Sequence, residues 1–184
     1  MNNGNGNGNR NDDRHDNGIT IRQGGPADVP AILAILDSAV VWLNGKGITA
    51  QWGTDPFTSR PKTVELVEQV AGEGIPLIAE IDGVPAGTLT LTPHPGGYVA
   101  PADEPEQYVR FLATDARFHG HGVGAALLAH AAEETRRQGV SLLRVDCFAG
   151  SEGRLVEYYE RQGFTRTETF EVNDWPGQVL EQRL

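Results

Sequence analysis

The sequence predicts a single domain of mixed α/β class, with elements in the order β α α β β β α β α β β. Three observations lead there. Segments with apolar residues at helical spacing alternate with β-branched runs. Asp82-Gly83 joins two of those runs as a two-residue turn, which makes them an antiparallel hairpin. Further on, a strand enters the glycine-rich turn His119-Gly120-His121-Gly122-Val123-Gly124, and a helix leaves it.

The chain has 184 residues and a hydrophobic content of 39%, enough for one sizeable core. Residues 1–18, MNNGNGNGNRNDDRHDNG, hold no aliphatic side chain after Met1 and cannot bury surface to offset the entropy of ordering. They are expected to be a disordered tail, and residues 19–184 the folded domain. The first strand spans Ile19 to Gln23. Pro26-Ala27-Asp28 then starts a helix in which Val29, Ile32, Leu33, Ile35, Leu36, Val40 and Leu43 recur at helical spacing up to Asn44-Gly45. A second helix, carrying Val64, Leu66, Val67 and Val70, follows Ser59-Arg60-Pro61 and ends at Gly72 or Gly74. Between the two lies a loop with Trp52 and Phe57.

Ile75 to Ile81 and Val84 to Thr92 form the hairpin, and the alternation from Thr88 to Thr92 puts threonines on one face and leucines on the other. Residues 93–106, with four prolines and three acids, are a loop. Tyr108 to Thr114 is a strand, and a helix runs from about Gly124 to Gln138. Val140 to Phe148 is a strand, and a last helix with Leu155, Tyr158 and Tyr159 ends at Gly163. Strands near Phe164 to Val172 and Gln178 to Leu184 complete the sheet.

The formal net charge of -10 repels phosphate backbones and anionic lipid, which disfavours nucleic acid as a partner and favours cations such as amines. No apolar run approaches the roughly 18 residues of a membrane helix, and the first residues lack the pattern of an export signal. A cytoplasmic protein, monomeric or homodimeric, is expected. Cys147 is the one cysteine and has no internal partner for a disulfide. His94, His121 and His130 show no metal-ligand spacing, so no metal is expected.

Three alternate glycines between a strand and a helix let the backbone approach a ligand, and the free N–H groups at the helix start favour an anion such as a pyrophosphate. Gly120-x-Gly122-x-x-Ala125 also fits a dinucleotide fingerprint, with Asp146 ending the next strand about where a ribose-binding acid belongs. That fingerprint sits in repeated βαβ units, whereas a hairpin precedes it here.

HGHGVGAALL and YYERQGF together resemble the paired signatures of GNAT-superfamily acetyltransferases, a [Gln/Arg]-x-x-Gly-x-[Gly/Ala] loop followed by Ala-Leu-Leu and then Tyr-x-x-x-Gly-Phe. The resemblance implies a largely antiparallel central sheet flanked by helices and an acetyl group moved directly from acetyl-CoA to the primary amine of a small molecule. It further implies that the backbone of Leu112, Ala113 and Thr114 pairs with the pantetheine arm and that His119, Gly120, His121, Gly122, Val123, Gly124 and Ala125 hold the pyrophosphate. Tyr159, four residues before Gly163, would be the acid that meets the leaving thiolate, with Tyr158 turned about 100° away.

The sequence departs from the family pattern where His119 takes the place of Arg or Gln, unless an alternative alignment puts Arg117 there. Ser151 and Glu152, with one extra residue, stand where the family often has Asn. The base is open among Glu80, Asp103, Glu104 and Asp146, directly or through water. Trp42, Trp52 and Phe57 fall where relatives shape the acceptor pocket. A sensor that binds an acyl-CoA or nucleotide without turnover is one alternative. A protein or peptide N-acetyltransferase is another, although the loops over 44–60 and 93–106 are long enough to close a pocket around a small molecule.

Overall fold

The structure, a computed structural model, describes the backbone of residues 13–15 and all of residues 18–184. Eight strands among them form one sheet: β1 (Asp13–His15), β2 (Ile19–Gln23), β3 (Ile75–Ile81), β4 (Val84–Thr92), β5 (Gln107–Thr114), β6 (Leu142–Phe148), β7 (Thr165–Val172) and β8 (Trp175–Arg183). Their spatial order is β1-β2-β3-β4-β5-β6-β8-β7. Every neighbouring pair is antiparallel except β5 and β6. Helices α1 (Val29–Gly45) and α2 (Pro61–Glu73) cover one face, and α3 (Val123–Arg137) and α4 (Arg154–Arg161) cover the other.

Period-two alternation divides the core between these layers. Leu77, Ala79, Leu89, Leu91, Val109, Val145 and Cys147 face α3 and α4, while Ile78 and Ala113 face α1 and α2. Thr88, Thr90 and Thr92 occupy the face opposite the leucines as expected, and all three are buried. Helix α1 buries a stripe from Val29 to Leu43 and leaves Val41 exposed. With the short 3-10 turn before it, the segment Pro26–Gly45 reaches 20 residues and a mean hydropathy of 1.6, long and apolar enough by composition to cross a membrane. The sequence count missed this because the polar residues within the segment interrupt its apolar runs. In the fold its stripe packs on the sheet.

Asp82 (φ 51°) and Gly83 (φ 74°) both take the left-handed conformation of the anticipated hairpin turn. Three boundaries differ from expectation. Val140 does not begin β6. Its N–H bonds to Thr135 O, and Gly139 N–H to Arg136 O, so this pair closes α3 as a C-terminal cap. Strand β8 begins at Trp175 because Asn173 and Asp174, both at positive φ, make a tight turn from β7. Asp13–His15, placed by expectation in a disordered tail, pair antiparallel with Ile19–Ile21. A ladder at a sheet edge needs only backbone N–H and C=O groups, so the lack of aliphatic side chains does not prevent it. The rest of that tail, apart from Gly18, lies outside the described residues.

Candidate active site

The site begins where β5 and β6 part. The strands pair at Gln107↔Leu143, Tyr108↔Arg144 and Val109↔Val145, and nowhere beyond. Strand β5 also breaks register with β4 between the pairs at Thr90 and Thr88, and Phe111 sits there at φ 53°. Such a conformation costs a bulky residue about 1–3 kcal/mol and collects at functional sites. The edge of β5 at Leu112, Ala113 and Thr114 is left without a strand on its β6 side, and a cavity of about 1280 Å³ fills the wedge.

One end of the cavity is the glycine turn. Gly120 and Gly122 take φ of 83° and 81°, which glycine alone adopts without penalty. The first hydrogen bond of α3 runs from Ala126 N–H to Gly122 O, leaving the N–H groups of Val123, Gly124 and Ala125 without helical acceptors. Such an arrangement can receive an anion, and together with the unpaired edge of β5 it suits a phosphate-bearing thioester such as acetyl-CoA. Gly124 also makes room for Tyr158, because a Cβ there would lie 2.5 Å from the Tyr158 hydroxyl.

Nine of the ten residues implied for cofactor binding line this cavity: Leu112, Ala113, Thr114, His119, Gly120, Gly122, Val123, Gly124 and Ala125. His121 does not. It is exposed and meets the Phe118 ring at 6.1 Å in a T-shaped contact. His119 stacks on Trp42 with ring centroids 3.7 Å apart and planes within 11°. Desolvation, and then the charge of Lys46, hold its imidazole below the ordinary value. Arg117 is drawn off to a bidentate pair with Asp115 at 2.9 and 3.1 Å, so His119 faces the cavity instead. Ser151 and Glu152 line the far wall.

The Tyr-x-x-x-Gly-Phe segment has a mechanical reading. Gly163 (φ 92°) ends α4, and the N–H of Phe164 returns to the carbonyl of Tyr159. This cap brings the Phe164 ring against the Tyr159 ring at 5.8 Å and fixes the tyrosine in the cavity wall beside Cys147. Burial pushes the Tyr159 phenol well above its usual pKa. Tyr158 also lines the cavity. Despite its different direction from the helix, it stands over the start of α3. Burial pushes the Cys147 thiol up to about 12, which favours the protonated form over the nucleophilic thiolate.

Of the four acids open as a base, Asp146 alone lines the cavity. It accepts a hydrogen bond from the Tyr108 hydroxyl at 2.8 Å, and burial raises its carboxyl above the ordinary range. Glu80 is paired with Arg22 at 2.8 Å, Glu104 with Arg183 at 2.6 Å, and Asp103 lies exposed in its loop. Trp42 and Trp52 line the cavity, whereas Phe57 is buried behind them against Trp52 and Phe111. Trp175 was not anticipated. It lines the cavity from the start of β8, and its indole N–H donates to Gln51 O at 3.0 Å, tying the β7–β8 hairpin to the loop after α1. Among the described residues no three His, Cys, Asp or Glu side chains gather as a metal site.

Residues 41–164 match the model of the acetyltransferase (GNAT) family. Solved structures of similar fold include the ribosomal-protein-alanine N-acetyltransferase from Brucella melitensis, with 24% identity and a TM-score of 0.61 over 89% of this chain and 99% of that one. The IAA acetyltransferase from Bacillus cereus has 18% identity and a TM-score of 0.59 over 90% and 99% of the two chains. The protein yncA from Salmonella typhimurium, solved with its cofactor acetyl-CoA, has 19% identity and a TM-score of 0.60 over 90% and 94%. No curated protein matches the sequence. The family model spans well over half of the chain, including the glycine turn and the Tyr-x-x-x-Gly-Phe cap, and the chain therefore belongs to the GNAT acetyltransferase family, the acetyl-CoA-dependent N-acetyltransferases.

Proposed function

We propose that the protein acetylates the primary amine of a small molecule by direct attack of the amine on acetyl-CoA, both bound in the wedge between β5 and β6. The observation that carries this reading is that the glycine cradle, Tyr159 and Asp146 all face one cavity. In it, the N–H groups of residues 123–125 hold the pyrophosphate, and the backbone of Leu112, Ala113 and Thr114 pairs with the pantetheine arm.

Asp146 takes the proton that the alkylammonium must lose. An ordinary carboxylate is several pKa units too weak for an ammonium, and each unit is about 1.4 kcal/mol, so the raised carboxyl narrows the gap. Tyr159 remains protonated because its phenol is raised, and it donates a hydrogen bond to the departing thiolate, whose conjugate acid has a pKa of about 8.5. Full proton transfer from so weak an acid would be uphill. Its contribution is therefore stabilisation of developing charge.

The preference for a small molecule rests on the bridge from Trp175 to Gln51, which ties two separate segments together in the cavity wall beside Trp52. A protein terminus would need an open groove. The test is thiol release from acetyl-CoA over polyamines, amino acids, aminoglycosides and short peptides. Saturable release with a small amine, matched by one N-acetylated product, is expected. Higher kcat/KM on peptides would contradict the small-molecule reading, and tight acetyl-CoA binding without release on any amine would make the protein a sensor.

A further inference from the structure

Tyr108 and Arg144 are partners across the last stretch of the β5–β6 ladder and point to the same face. Two residues on, Arg110 and Asp146 would be the next partners on that face, but the strands have splayed and no ion pair forms between them. Both residues line the cavity, one from each wall, and the charge of Arg110 acts on the Asp146 carboxyl. Among the described residues Arg110 has no ion pair at all, in a chain with 25 acids against 15 lysines and arginines. Arg154, also in the cavity wall, is paired with Glu152 at 3.1 Å, and Lys46 lies 5.7 Å from the Trp42 ring at the glycine-turn end.

The guanidinium of Arg110 is held from two sides. It lies over the Phe111 ring at 5.6 Å, and the loop after β4 comes so close that a Cβ on Gly96 would stand 3.2 Å from its Nη2. Arginine restrained in this way is already oriented for the fork-shaped contact with a carboxylate. It also faces away from the phosphate cradle, because α3 packs on the side of Val109 and not on that of Tyr108 and Arg110.

Building on the acetyl-transfer reading, we propose that Arg110 binds the carboxylate of the acceptor while Asp146 receives its ammonium, so that the acceptor is an amino acid or a close analogue. An acid and a base set on opposite walls of a widening gap match a zwitterion, whose charges are separated by only a few bonds. A polyamine would leave Arg110 facing a second cation, and a peptide terminus would offer it an amide.

The test measures kcat/KM for each of the L-amino acids beside its carboxamide and its decarboxylated amine, with wild type, Arg110→Gln and Arg110→Lys. A charge-assisted bidentate contact leads us to expect a wild-type preference for the best amino acid of about 10- to 100-fold over both analogues, carried mainly by KM. In Arg110→Gln the ratio should fall to within about threefold of one, and Arg110→Lys should keep part of it. Carboxamides or decarboxylated amines acetylated as well as amino acids by wild type would overturn the anchor while leaving acetyl transfer intact. Equal losses on all three acceptors in Arg110→Gln would reduce Arg110 to a structural residue. Absence of thiol release with every one of these acceptors, beside release with a polyamine or an aminoglycoside, would overturn the anchor alone, and absence of release with all of them would overturn the acetyl-transfer reading as well.

Discussion

Asp146→Asn separates chemistry from folding at this site. The asparagine carbonyl can still accept the Tyr108 hydroxyl that now lies 2.8 Å from the carboxylate, so the local network survives while the proton acceptor is lost. General-base assistance contributes roughly 100- to 10,000-fold, about 3–5 kcal/mol of barrier, and kcat should fall by that amount with acetyl-CoA affinity unchanged. The acceptor KM should rise too, since the ammonium loses its counter-charge. Burial raises the Asp146 carboxyl above its unfolded value, so its contribution to stability is present at low pH and is lost as pH rises through the folded pKa. Near pH 8 the wild type therefore carries the cost of a desolvated carboxylate and the variant does not, and its melting temperature should equal or exceed that of wild type. The acid limb of kcat/KM should also differ. Wild-type activity should fall as pH drops through the raised carboxyl pKa, and that limb should vanish in Asp146→Asn. Thiol release across pH, calorimetry with acetyl-CoA and thermal melts test all of this. A variant with kcat within threefold of wild type and an unchanged acid limb would refute the assignment.

Tyr159→Phe should keep acetyl-CoA affinity and lose roughly 100-fold in kcat, because the ring packing against Phe164 is retained and only the hydroxyl goes; wild-type turnover under conditions where chemistry limits would remove Tyr159 from the mechanism. Tyr158→Phe is not a neutral control for it, since its hydroxyl stands at Gly124. Gly122→Asp puts a side chain at φ 81° and a negative charge beside the open N–H groups of α3, so acetyl-CoA binding should drop by at least about 100-fold in a folded protein. Unchanged calorimetric affinity would show that the phosphates bind elsewhere.

Local signals carried much of the architecture. Asp82-Gly83 states its turn because two positive φ values in succession suit few residues, and the glycine turn and the Tyr159-Gly163-Phe164 cap are likewise written in adjacent residues. Asn173-Asp174 makes the same kind of turn as Asp82-Gly83, but without a glycine it reads less clearly, and β8 began three residues earlier than expected. That Asp146 lines the cavity while Glu80, Asp103 and Glu104 do not could not be read from sequence, because it depends on where the strands splay. Trp175 reaches Gln51 across 124 residues of chain, and that contact has no local signature. Arg110 resembles any charged residue on a solvent face of a strand until the bulge at Phe111 opens the gap beneath it. The departure of Asp13–His15 from a disordered tail has the same origin, a backbone ladder made available by β2 rather than by the segment's own side chains.

Direct attack requires that amine and acetyl-CoA occupy the one cavity together and react without an acetylated protein between them. Initial rates with both substrates varied, read beside the intact mass of protein incubated with acetyl-CoA alone, test it most directly. Intersecting double-reciprocal lines and an unchanged protein mass are expected, in keeping with the burial that raises the Cys147 thiol. Parallel lines with a protein one acetyl group heavier would contradict direct transfer.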